Sequence, residues 1–96
     1  MLIARVIGTT IATIKDEKLS GTKLLLVRQT DEHGEAIGKP FVAVDTVEAG
    51  AGDLVLTAHG SSARQTTITD KRPVDAVIMA VIDSLEVGGK VVFRKS

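Results

Sequence analysis

The chain has no cysteine, no tryptophan and no tyrosine, and Phe41 and Phe93 are its two phenylalanines. Without thiols there is no disulfide framework, no thiolate nucleophile and no cysteine-type zinc site. Two rings are too few for the aromatic platform on which single-stranded nucleic acids stack. Neither sign of charge is in excess, with 12 basic and 12 acidic residues, so no net field draws the chain to nucleic acid or to an anionic membrane. No apolar run approaches the roughly 20 residues that cross a bilayer. The first residues are strand-like and lack the layout of a secretory signal. The expectation is a soluble, intracellular protein without nucleic-acid or membrane partners.

What the chain does have is apolar side chain. Its 96 residues suit one small domain, residues 1–96, yet 44% of them are hydrophobic and the mean hydropathy is +0.22. A domain of this size buries only about 60–70% of the surface its unfolded chain exposes. The surplus apolar surface needs cover. Self-association is the simplest source, because obligate subunit interfaces resemble a domain core cut in half.

Residues 2–15 are rich in β-branched side chains and predict a long strand, with Gly8 marking a bulge or a sharp bend. A polar connection at 16–22 leads to a second strand over 23–29. The turn-rich segment 31–38 predicts a hairpin loop, and a third strand follows over 40–47, with Pro40 at its first position. Gly50 and Gly52 lie in a small-residue loop that turns through positive φ. A short buried strand follows at 54–58. Ser61 or Ser62 is then expected to cap a single helical turn over 63–65, with residues 66–72 expected as an exposed loop. Residues 74–87 carry both a helical stripe and, at 76–82, an apolar side chain at every position. A strand covered on both faces explains the second feature better, so a strand is expected. Gly88-Gly89 makes a two-residue turn into a last strand over 90–94. The fold class is all-β: a small OB-like closed barrel of five to six strands with one short helical turn.

Gly50-x-Gly52-Asp53, then Gly60-Ser61-Ser62-Ala63-Arg64-Gln65, then Pro73-Val74-Asp75 before an apolar run together resemble the EutN/CcmL family of bacterial microcompartment vertex proteins. Further stretches look like the family's other strands. They are Ala4-Arg5-Val6-Ile7-Gly8, Lys23-Leu24-Leu25-Leu26-Val27, Val42-Ala43-Val44-Asp45, Ile82-Asp83 and Gly88-Gly89-Lys90-Val91-Val92-Phe93. The resemblance implies an OB-like barrel and a homopentamer that caps the vertices of a polyhedral shell in the bacterial cytoplasm. It also implies hexagonal shell proteins as neighbours, with Lys39, Lys71 and Arg72 among the charges that meet them. The number five comes from the family, since a head-to-tail contact closes into a ring of any order that divides a full turn.

Set against this, Ser61 or Ser62 with His59 or His33 and Asp53 or Asp75 can be assembled into a hydrolytic triad, but no spacing fixes the required geometry. The Gly50-Ala51-Gly52 loop lacks the Gly-Lys-Ser/Thr of a phosphate cradle. Two scattered histidines make no metal site. The expectation is no catalytic residue, no cofactor and no metal. Gly50, Gly52, Asp53, Ser61, Ser62 and Arg64 are instead expected at a subunit interface or pore, with Arg64 partly buried at the subunit boundary and Asp53 or Asp75 among its candidate partners. An exposed arginine at a helix end is the alternative for Arg64. The alternative function is a small OB-like module that binds a ligand or peptide.

Overall fold

The structure, a computed structural model, describes residues 1–10, 22–60 and 76–95. Seven strands form among them: β1 (Leu2–Thr9), β2 (Leu24–Thr30), β3 (Ala36–Asp45), β4 (Leu54–His59), β5 (Ala76–Val81), β6 (Ser84–Val87) and β7 (Lys90–Arg94). The first five close into a barrel in the order β1-β2-β3-β5-β4, and β6 and β7 make a separate two-stranded ribbon. All barrel pairings are antiparallel except β3 with β5, where Val44 and Asp45 lie beside Val77 and Ile78. The all-β closed barrel matches the expectation. The short helical turn expected at 63–65 lies outside the described residues.

Side-chain alternation explains the closure. Ala4, Val6, Leu25, Val27, Ala43, Val55, Ala76 and Ile78 form one buried cluster, with Ala49 inserted from the loop after β3 and Phe41 and Val81 packed against it. A five-stranded barrel has a narrow lumen, and the three strand alanines leave room for the branched side chains opposite them. A second buried cluster joins Val44, Ala58 and Val77, with Leu24 packed on it. These four residues are register neighbours across β2, β3, β5 and β4. Strand β5 is therefore buried on both faces: Ile78 belongs to the first cluster and Val77 to the second. This explains the apolar residues of its first half, Ala76 to Ile78, whereas Met79 is exposed.

The segment at 74–87 is nevertheless not one strand. Ile82 still donates its amide to Leu54 at 2.8 Å, while the carbonyl of Asp83 accepts from the Lys95 amide at 2.8 Å. The chain leaves the barrel between them and pairs with β7 instead. Gly88 and Gly89, with φ of 58° and 82°, make the two-residue turn that joins the ribbon. The register shift expected in β1 falls between Val6 and Gly8.

Other boundaries differ: β1 ends at Thr9, with residues 11–15 of its expected span outside the described residues, and β3 ends at Asp45 rather than at 47. Strand β3 begins at Ala36, so Pro40 sits within it rather than at its start. The residues opposite Arg28 and Val27 pair with β2 only, because β5 reaches no further than Val44 and Asp45. A proline without an amide is tolerated at such an open edge. The hairpin loop is correspondingly short. Asp31 donates its amide to Glu35 at 2.9 Å, and its Oδ1 accepts from the amides of His33 (2.8 Å) and Glu35 (3.0 Å). Those two amide hydrogen bonds, Glu35 first, hold the Asp31 carboxyl below its ordinary range.

Candidate functional site

The corner between β3 and β4 is built by its own backbone. Asp53 donates its amide to Gly50 at 3.0 Å, and its Oδ2 accepts from the Gly50 amide at 2.8 Å. The corner is docked on β1, since Val6 donates to Asp53 (2.9 Å) and Gly52 donates to Val6 (2.8 Å). Only one of the two glycines turns through positive φ. Gly52 has φ of 88°, and Gly50 does not lie in that region. A Cβ on Gly50 would meet Asp53 Oδ2 at an ordinary 3.7 Å. The expected role therefore belongs to Gly52 alone.

Arg5, which no motif singles out, ties this corner to two others. Its Nη1 donates to the Gly52 carbonyl at 2.9 Å and its Nη2 to the Gly34 carbonyl at 3.5 Å. Its Cζ lies 5.9 Å from the centre of the Phe93 ring. Lys95 Nζ lies 3.6 Å from Asp53 Oδ1. A Cβ on Gly34 would fall 2.6 Å from Arg5 Nη2, and Gly34 has φ of 82°. Gly34→Ala is expected to destabilise the chain by about 2 kcal/mol, the sum of left-handed strain and a displaced guanidinium. Thermal or urea unfolding checks this, and a loss within a few tenths contradicts it.

Beside it, Asp45 is buried. Its Oδ1 accepts from the amides of Val47 (3.0 Å) and Ala49 (3.2 Å), and Lys23 Nζ lies 3.6 Å from its Oδ2. Lys23 also donates to the Ala49 carbonyl at 3.3 Å.

Of the residues expected at an interface or pore, Gly50, Gly52 and Asp53 share this corner. Ser61, Ser62 and Arg64 lie outside the described residues, as do Asp75, Lys71 and Arg72. Both Asp53 oxygens are engaged, by Gly50 and Lys95. His59 stands at the end of β4 with Nε2 2.8 Å from Thr57 Oγ1, and the Phe41 ring meets it edge-on at 5.0 Å. His33 lies in the exposed turn, 3.6 Å from Glu32. Burial, and secondarily the N-terminal ammonium, push the His59 imidazole below its ordinary value of 6.5. A histidine lowered in the folded state adds stability that is present above the unfolded value and lost as pH falls through the folded one. Melting temperature is therefore expected to drop below about pH 6.5, and His59→Gln should flatten that part of the profile.

The outer surface holds the other candidate features. Gly8, Leu26 and Val42 are register neighbours across β1, β2 and β3. Ile7 and Val42, on that face, are both exposed, as are Val87 and Val91 on the ribbon.

The model of the family described as "Ethanolamine utilisation protein EutN/carboxysome" matches residues 1–83. The chain belongs to the EutN/CcmL family. It is 44% identical over 96 residues to the carboxysome shell vertex protein CcmL of Nostoc sp., covering 99% of this chain and 95% of that one. It is 40% identical to the microcompartment shell vertex protein EutN of Salmonella typhimurium, covering 99% and 96%. Among solved structures, CcmL of Gloeobacter violaceus superimposes with a TM-score of 0.91 at 40% identity, covering 99% and 98%. GrpN of Rhodospirillum rubrum, a pentameric microcompartment shell protein, does so with 0.81 at 42% identity, covering 91% and 99%. These EutN/CcmL relatives are shell vertex proteins by name, and the similarity to the two CcmL proteins and to EutN covers 99% of the chain.

Proposed function

We propose that this chain is a structural shell protein, one vertex domain over residues 1–96, that assembles as a homopentamer and closes a bacterial microcompartment. The observation that carries the reading is similarity to a pentameric shell protein over 91% of the chain and to named vertex proteins over 99% of it. In this reading the function is geometric. A five-fold unit placed among hexagonal shell proteins curves flat sheets into a closed polyhedron, and no catalytic step or cofactor is required. The working place is the shell, in the bacterial cytoplasm.

The surface chemistry supports a ring. Exposed Ile7 and Val42 flank half-buried Leu26 on one face, and exposed Val87 and Val91 stand on the ribbon. A cyclic assembly buries two different patches of each chain, one against either neighbour. Val42→Lys places an ammonium on the first patch. It is expected to raise the subunit concentration needed for assembly at least tenfold, because an uncompensated charge in an interface costs about 3 kcal/mol. The single chain should still fold, since Val42 is 44% exposed within it. Size-exclusion chromatography and circular dichroism read the two effects separately.

The vertex role is tested by producing the chain together with a hexagonal shell protein and imaging the product. Closed polyhedra that become open sheets or tubes when this chain is withheld are the expected result. Closed polyhedra in both cases would overturn it.

A further inference from the structure

The β6–β7 ribbon raises a question the barrel does not answer: what fixes its direction. Its strands have four and five residues and, among the described residues, join no barrel strand. Such a two-stranded hairpin is marginal on its own and does not orient itself. Among the described residues its ties lie at the base. The Lys95 amide closes on the Asp83 carbonyl, Lys95 Nζ faces Asp53, and the Phe93 ring faces Arg5.

We infer that Arg5 is a positioning residue that aims the ribbon. Its guanidinium is bonded to the carbonyls of Gly52 in the β3–β4 corner and of Gly34 in the β2–β3 turn, neither of which belongs to the ribbon. The group is therefore held before the ribbon arrives, and the absent Cβ of Gly34 leaves the space it occupies. A planar guanidinium can donate along its edges while offering its face to an aromatic ring. The guanidinium lies over the Phe93 ring, with Cζ 5.9 Å from its centre, and this contact sets the ribbon's azimuth, while the Asp53–Lys95 pair holds the end of the same strand. An ammonium at position 5 has no plane to offer. The clamp is a property of the single chain. Its use, presenting Val87 and Val91 to a neighbouring subunit at one angle, rests on the proposed pentamer.

The absence of cysteine makes the test direct. Lys39→Cys and Lys90→Cys carry spin labels on the barrel and near the ribbon tip, and labelled chains are diluted with unlabelled ones. Pulsed electron resonance then reads the distance within one chain. A single narrow distribution is expected with Arg5 present. Arg5→Met should at least double its width, and Arg5→Lys should not restore it. Phe93→Leu keeps apolar bulk without the ring and should broaden the distribution likewise, which covers the case in which Arg5→Met fails to fold. Unchanged widths in the folded variants, or full rescue by lysine, would overturn the clamp. Native mass on the same samples separates the two readings. Broadening in a chain that is monomeric throughout keeps the clamp and removes the pentamer, whereas an unbroadened pentamer does the reverse.

Discussion

Ile78→Ala is expected to cost about 4 kcal/mol, near the upper part of the range for truncating a buried isoleucine. Ile78 is fully buried in the barrel cluster and sits where the barrel closes, beside Asp45 on β3 and Thr57 on β4. Its carbonyl also accepts the Thr46 hydroxyl at 2.6 Å, so the backbone here is held in place. A held backbone relaxes poorly into a cavity, which is the condition under which truncation costs most. Ile78→Val removes one methylene and should cost only about 1 kcal/mol. Urea unfolding at matched subunit concentration checks both, because assembly would otherwise shift the midpoint. An alanine variant within 1.5 kcal/mol of the parent, on the scale of such truncations, would mean that the barrel collapses around the gap.

Asp45→Ala is the second large effect, expected near 3 kcal/mol. The comparison that matters is with its cation. Lys23 has a side chain 54% exposed, against 1% for Asp45. Water reaches the ammonium and screens the 3.6 Å pair, so Lys23→Met should cost only about 1 kcal/mol. Removing the carboxylate does something different. The amides of Val47 and Ala49 lose their acceptor, and Ala49 is buried, so its amide has no water to turn to. An orphaned buried donor costs about 1–3 kcal/mol by itself. Asp45→Asn keeps an oxygen for those amides and should lie between the two. If Lys23→Met proves as costly as Asp45→Ala, the ion pair and not the amide cap holds this loop.

The parts of the fold legible in the sequence are those encoded locally. Gly88-Gly89 can be read as a turn because both residues must pass through positive φ. Apolar side chains at every position of 76–82 call for cover on two faces, and Ala76 to Ile78 have it, although Met79 is exposed. The break after Ile82 was hidden because Leu85, Val87, Val91 and Phe93 continue the apolar pattern beyond the barrel. Nothing local distinguishes a strand inside a closed sheet from one in a free ribbon. The corner at 50–53 was legible as a turn, but the division of labour between its glycines was not, since one needs the left-handed region and the other does not. Arg5 belongs to a stretch that carries the family resemblance, but nothing there signals its role. Its partners lie 29 and 47 residues away, so only the folded barrel brings them together. Asp45 did carry one in hindsight: an acidic residue ending a strand, before Thr46 and a small-residue loop, is a common acceptor for the amides that follow.

The ring is the claim on which the functional account depends, and the mass of the native assembly tests it most directly. Native mass spectrometry of the purified chain at micromolar concentration should give five times the 10.1 kDa subunit. A monomer at that concentration would contradict the account, because the exposed patches around Val42 and Val91 would then have no neighbour of their own kind to cover them.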